Sequence, residues 1–297
     1  MIQHVTLQVA NSGPRLDRLP LGPWHYRLLA LITAGLFVDT FELYSAGAVL
    51  AALVQSGWST MSLNATFLTA TFVGLTAGAW GAGIVGDRYG RRFCYQLNLL
   101  VFGLASVAAA FAPNMTILIV LRFVMGLGLG AEIVVGYATM AEFIPAKYRG
   151  RIIASMVLMA NASSIVALLT ASWVVPSLGW RWMFLLPGAA ALLIWFFRRS
   201  LPESPRWLEA VGRTSEANAL LDGIELASNI VTANPGSASA GRATVQSRAV
   251  TPLSVLFERQ TVLRTIVGVV LTTTTGFVIN GFLQWLPTFS ISQGMNF

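Results

Sequence analysis

The sequence predicts an all-α membrane protein with seven spanning helices, and three observations carry that prediction. Hydrophobic residues make up 55% of the 297-residue chain and charged residues only 10%, whereas soluble domains carry about 25% charged residues. So few charges cannot cover a water-facing surface, and lipid removes the need. The apolar residues also gather into runs close to the roughly 20 residues a helix needs to cross hydrocarbon. Finally, the basic residues fall in every second gap between those runs, the pattern of membrane topology. The net charge of +7 therefore speaks for orientation in lipid rather than for nucleic acid. One cysteine, Cys94, excludes an intrachain disulfide and argues against a metal site.

The elements follow in order. Residues 1–26 are polar, broken by Pro14, Pro20 and Pro23, and lack the apolar core and small-residue cleavage site of a signal peptide. His4 and His25 in this segment are expected to be solvated. The first span, Leu28 to Leu53, contains Asp39 and Glu42. The second, Ala65 to Gly86, and the third, Phe93 to Ala112, carry no charge. The fourth, Met115 to Ala141, holds Arg122 and Glu132. The fifth runs from Ile152 to Pro176 and the sixth from Gly179 to Phe197, with Arg181 at its entry and Trp180 and Trp182 in the interfacial belt. These six form a bundle over 27–197. A linker over 198–264 opens with helix-prone residues around Trp207 to Leu226 and passes into Ser, Ala, Gly and Asn. The seventh span, Thr265 to Phe289, lies in a final segment of 265–297.

Orientation follows from the loops. The N-terminal segment, the loops after spans two and four, and the linker hold 17 of the 19 basic residues. By the positive-inside rule these segments and the N-terminus are cytoplasmic, and the protein is a multi-pass component of the plasma or inner membrane.

Two stretches carry motifs. After span two comes Gly83-Ile84-Val85-Gly86-Asp87-Arg88-Tyr89-Gly90-Arg91-Arg92. Gly90 suits a tight hairpin between helices, and Asp87 lies within reach of arginines or a helix N-terminus. The cluster reads either as a latch between helix bundles or as a plain topology signal. Span four carries Arg122 to Gly130, and its exit reads Ala141-Glu142-Phe143-Ile144-Pro145-Ala146-Lys147-Tyr148-Arg149-Gly150-Arg151. Gly126 and Gly130 stand four apart, as do Gly74 and Gly78, and such small pairs let helices approach closely in lipid.

These stretches carry a resemblance. The Gly83–Arg92 loop resembles the signature loop of the major facilitator superfamily. The Arg122–Gly130 and Glu142–Arg151 runs, and Leu201-Pro202-Glu203-Ser204-Pro205-Arg206-Trp207-Leu208, are similar to the fourth-helix pattern and sixth-helix exit of its sugar-porter and metabolite–proton symporter branches. The resemblance implies a fold of twelve helices in two six-helix halves. The chain would hold the first half, the linker and one helix of the second, a truncated protein. Gly83, Asp87, Arg88, Gly90, Arg91, Arg92, Glu142 and Arg149 would then be gating residues.

Charges inside spans point to a wet passage, because a bare charge in hydrocarbon costs about 2.5–3.5 kcal/mol on insertion scales. Asp39 and Glu42 stand three apart on one face and are candidates for loading a proton, with Arg122 as their counter-charge. Asp39-Thr40-Phe41-Glu42 resembles the paired first-helix acids of aromatic-acid and nicotinate-type symporters, with Glu where Asp is usual. Which acid pairs with Arg122 stays open. Glu132, about 15 Å along the helix from Arg122, either lines the cavity or latches onto the basic loops. Asn161, Asn280, Gln284 and Trp285 are candidates for substrate contact, or for hydrogen bonds between helices.

No nucleotide loop or metal-ligand cluster is visible, so the expectation is a cofactor-free secondary transporter rather than an enzyme. It would move a small organic acid together with protons by alternating access, as a monomer when complete. The rivals are an uncoupled facilitator of sugars or similar solutes and a seven-helix receptor or sensor.

Overall fold

A computed structural model describes residues 12–227, 258–259 and 261–292, and among them every regular element is a helix. The first of two units spans Met1–Ile230, and its described residues form nine helices. A short α1, Ser12–Arg18, precedes the spanning bundle: α2, Pro23–Gln55; α3, Met61–Tyr89; α4, Arg91–Ala110; α5, Met115–Phe143; α6, Ala146–Leu178; and α7, Trp182–Arg198. Two surface helices follow, α8, Pro205–Ala210, and α9, Thr214–Ala227. The second unit, Val231–Phe297, contributes α10, Val262–Ser292.

The spans stand where the apolar runs put them, but most are longer. α2 and α6 reach 33 residues each, about 50 Å at 1.5 Å per residue. A count of apolar residues sees only the hydrocarbon; backbone hydrogen bonding carries the helix on until a cap stops it. Thr60 Oγ1 accepts from Leu63 N at 3.3 Å to start α3, and Asn114 Oδ1 accepts from Ile117 N at 2.9 Å to start α5. α7 is the short one, at 17 residues about 26 Å. The turn before it is made by Gly179 with φ +91°, and Trp180 packs at a tilt against Trp58, ring centroids 4.9 Å apart.

One end of the bundle departs from expectation. The N-terminal segment is partly helical, with Leu16 and Leu19 buried. α2 begins at Pro23, where a proline at the first position loses no intrahelical bond. His25 therefore lies inside α2 and is buried, not solvated: Gly22 N donates to its Nδ1 at 3.3 Å and its ring meets Trp24 edge-on. His4 lies outside the described residues.

Packing follows the small residues. α3 runs along α5, α2 along α6, and α4 against both α5 and α7, with α7 also meeting α2. At the α3–α5 seam a Cβ on Gly126 would lie 2.6 Å from the Thr71 carbonyl, and one on Gly78 or Gly130 would overlap the Leu127 or Leu75 carbonyl. Between α4 and α7, a Cβ on Gly188 would come within 2.9 Å of Val107 N. Backbone-to-backbone contact of this kind maximises dispersion where lipid supplies no hydrophobic drive. Large apolar groups point outward instead, with Trp80 80% and Leu158 71% exposed, the reverse of a soluble core.

Candidate functional site

Five ionisable side chains lie inside the bundle, each at most 1% exposed: Asp39, Glu42, Arg122, Glu132 and Arg198. They fall into two groups.

In the first, Arg122 of α5 is paired through Nη1 with Glu42 Oε1 of α2. Its Nε donates to Thr71 Oγ1 of α3 at 2.8 Å, and the guanidinium lies 4.8 Å from the Phe67 ring centroid. Arg122 Nη2 and Glu42 Oε2 have no hydrogen-bond partner among the described residues. Three helices thus converge on one charge pair, with an unfilled donor and an unfilled acceptor left over.

The second group was not expected. Arg198, the last residue of α7, counts in sequence as the first basic residue of the linker, yet it is fully buried. Its Nε donates to the Leu31 carbonyl and its Nη2 to the Ile32 carbonyl, both at 3.0 Å. Its Nη2 also stands 2.5 Å from Glu132 Oε1, an ion pair by distance whose angles are not those of a hydrogen bond. Gly35 makes room for this: a Cβ there would overlap Arg198 Nη2 and lie 2.7 Å from Glu132 Oε1. So Arg122 is not the sole basic residue within the spans, and Glu132 meets Arg198 rather than the loop arginines. A buried acid without a visible partner in sequence was the signal that could have found it. Asp39, on the face it shares with Glu42, has neither oxygen bonded.

The loop residues meet at the basic end. Asp87 pairs with Arg91 at 2.8 Å, and Arg91 Nε reaches Glu142 at 3.1 Å. Gly90, at φ +99°, turns α3 into α4. Glu203 covers the start of α4, its Oε1 accepting from Arg91 N at 2.8 Å and Arg92 N at 3.1 Å, where a carboxylate complements the helix dipole. Arg92 donates to the Arg199 carbonyl and Trp207 Nε1 to the Asp87 carbonyl. Arg149 stands 3.7 Å from Asp17. Arg88 lies over Tyr89, and a Cβ on Gly83 would meet nothing within 4 Å, so neither packs into this network. Glu203 and Asp17 are the members that sequence reasoning did not assign. Outside the spans, α1 docks on α9: Arg15 bridges Glu225 at 2.8 Å and Asp222 at 2.6 Å, and the hydrogen bond to Glu225 above all holds its guanidinium above even its ordinary range.

Of the substrate candidates, Asn161 on α6 accepts from Tyr44 at 3.1 Å and donates back to the Val157 carbonyl. The side chains of Asn280, Gln284 and Trp285 lie outside the described residues. Among the described residues no His, Cys, Asp and Glu cluster could hold a metal.

The profile of the Major Facilitator Superfamily matches residues 32–297. The chain belongs to that superfamily. It is 36% identical over 293 residues to the inner membrane metabolite transport protein YdjE of Escherichia coli, covering 97% of this chain and 65% of that one. It is 34% identical over 211 residues to the niacin transporter NiaP of Acinetobacter baylyi, covering 71% and 48%. With the 4-hydroxybenzoate transporter PcaK of Pseudomonas aeruginosa it shares 30% over 217 residues, covering 69% and 48%. The chain thus spans between about half and two thirds of the length of these superfamily members. Among solved structures, the inward open xylose transporter XylE of E. coli superposes with a TM-score of 0.62 at 19% identity, over 89% of this chain and 63% of that one, a likeness of fold.

Proposed function

We propose that the whole protein carrying this chain is a proton-coupled transporter of a small organic acid, working by alternating access. The observation that carries the reading is the Glu42–Arg122 pair. It is fully buried, joins α2 to α5, and leaves Arg122 Nη2 without a partner. A guanidinium with a spare donor beside the Phe67 ring suits a planar carboxylate. A substrate carboxylate on Arg122 would loosen Glu42, coupling substrate binding to the charge state of the site. The names of the niacin and 4-hydroxybenzoate transporters support an aromatic acid as the substrate class.

The basic end of the bundle is cytoplasmic in this reading, by the placement of its arginines and Lys147. The Asp87–Arg91–Glu142 network with Glu203 is then part of the inner gate, holding α3, α4 and α5 together on that side.

The test uses the whole protein in liposomes with an imposed pH gradient and labelled nicotinate and 4-hydroxybenzoate as probes. Glu42→Gln is expected to cut accumulation by about tenfold or more, while exchange of probe for probe persists in part. Accumulation that stays at the wild-type level in both Glu42→Gln and Asp39→Asn sinks the coupling. Uptake that ignores a protonophore makes the protein a facilitator instead.

A further inference from the structure

Three arginines gather at the basic end of the bundle without an acid to answer them. Arg27 of α2 donates through Nη2 to Ser200 Oγ at 3.0 Å, and Arg92 of α4 donates through Nη2 to the Arg199 carbonyl at 2.9 Å. Their anchors are consecutive residues, with Cα atoms about 3.8 Å apart, so both guanidiniums stand at the exit of α7. Arg199 adds a third, held 3.9 Å from the Trp195 ring centroid. All three arginines are exposed, and among the described residues none of them enters an ion pair. Glu203 is the acid near them, and its carboxylate is taken by the backbone N–H groups of Arg91, Arg92 and Ser204.

A further polar group lies deeper. Gln96 Nε2 is buried and has no hydrogen-bond partner among the described residues. It is four residues along α4 from Arg92, about 6 Å further into the span. Both lie on the side of α4 that meets α7. The two helices touch at Gly103 and Gly188. Gln96 and Arg92 stand seven and eleven residues before Gly103, and Trp195 and Arg199 stand seven and eleven beyond Gly188. Steps of seven and eleven return to nearly the same side of a helix. Beside the crossing, Leu104 and Leu193 are 54% and 58% exposed. From the basic end inward, the seam between α4 and α7 thus offers guanidiniums, then an amide N–H, then bare aliphatic surface. Topology alone accounts for arginines at the ends of spans. It does not account for three at the exit of one helix, above a buried amide with nothing to bond.

We propose that this seam is a binding site for one anionic phospholipid. Arg27, Arg92 and Arg199 hold its phosphate, Gln96 Nε2 donates to an ester carbonyl, and the acyl chains run past Leu104 and Leu193. The order of groups in the site is the order of groups in the lipid: charge, ester, hydrocarbon. A soluble anion would use only the first. Packing on Trp195 sets the Arg199 guanidinium in place before the lipid arrives. Once bound, the headgroup ties α2 and α4 to the exit of α7. That exit is where Arg198 bonds the Leu31 and Ile32 carbonyls of α2, so the lipid would brace the same joint from outside. The site needs neither proton nor substrate, and it stands or falls apart from the transport reading.

The experiment is native mass spectrometry of the full chain released from detergent, with phosphatidylglycerol and phosphatidylcholine of the same acyl chains titrated separately. The first phosphatidylglycerol should bind at least about tenfold tighter than the first phosphatidylcholine, since each arginine near a membrane surface is worth about fivefold for an anionic lipid. Arg27→Gln, Arg92→Gln and Arg199→Gln should each remove about fivefold from phosphatidylglycerol and little from phosphatidylcholine. Gln96→Leu should weaken both lipids alike, because both carry the ester carbonyls. Arg18→Gln on α1 and Arg151→Gln on α6, both exposed, are the controls and should leave the preference intact. Cys94, buried in α4, should stay unreactive in each variant scored, which separates lost binding from unfolding. Should an arginine variant fail this check, the unaltered chain still decides: raising salt from about 0.1 M to about 1 M shortens the Debye length from about 10 Å to about 3 Å and should weaken phosphatidylglycerol severalfold and phosphatidylcholine little. Equal affinity for the two lipids, or equal response to salt, overturns the proposal. So do controls as damaging as the cluster variants, which would mean a diffuse positive field, and displacement of the lipid by inorganic phosphate, which would mean a site for free anions.

Discussion

Gly126→Ala should destabilise the bundle, although alanine is the better helix former. The new Cβ would lie 2.6 Å from the Thr71 carbonyl oxygen and 3.1 Å from Gly74 Cα, against an ordinary contact of 3.4 Å or more. Both neighbours are backbone, so neither can rotate away, and α3 must draw back from α5 by about 0.8 Å. A radial gap of that size forfeits roughly a quarter to a half of the dispersion energy at each contact along the seam. Overpacking of this kind costs about 1–3 kcal/mol, from which about 1 kcal/mol of helix propensity is recovered. Gly81→Ala on α3 is the control, because a Cβ there meets nothing within 4 Å and only the propensity gain remains. The assay is thermal unfolding in detergent, followed by a fluorogenic thiol reagent at Cys94, the single cysteine. Gly126→Ala should lower the midpoint, by at most about 8 °C for a net cost of up to about 2 kcal/mol, while Gly81→Ala holds or raises it. Equal, positive shifts for both would refute the close-packed seam.

Further perturbations separate the remaining contacts. Gly35→Ala should displace the Arg198–Glu132 pair from α2 and slow proton-driven uptake by the whole protein more than probe exchange; unaltered kinetics would show that the space is not needed. Glu203→Ala uncovers the backbone N–H groups of Arg91 and Arg92 and should cost about 0.5–2 kcal/mol, with Glu203→Gln milder because it keeps an acceptor; the thiol assay reads both. Arg15→Ala should release α1 from α9 and make residues near α1 open to limited proteolysis, whereas unchanged cleavage would mean that Leu16 and Leu19 hold α1 alone. Glu216 lies outside the spans, and its hydrogen bond with Arg213 holds its carboxyl below the usual range. Its support for α9 is therefore present above the ordinary carboxylate range and fades as pH falls below it, which an NMR titration of that carboxyl would follow.

The spans and the glycine spacings were legible because they are local. Twenty apolar residues must cross hydrocarbon wherever they occur, and Gly74, Gly78, Gly126 and Gly130 can serve only close helix contact. The sequence left open which of Asp39 and Glu42 meets Arg122: in the structure it is Glu42, and neither oxygen of Asp39 has a hydrogen-bond partner among the described residues. A three-residue spacing puts two side chains on one helix face, but not which neighbouring helix each of them meets. His25 was misread for a related reason, since polarity alone hid the helix that begins at Pro23.

By itself the sequence determined where the long apolar helices run, which gaps between them carry the basic charge, and that the charges within those helices must be answered by others, since hydrocarbon solvates none of them. Only the tertiary structure decided the pairing. Arg198 is an ordinary end-of-helix arginine until α7 lies against α2 and the missing side chain of Gly35 admits it beside Glu132. Coulomb attraction falls with distance through space, and distances between helices are set by packing, which no single segment of the chain contains.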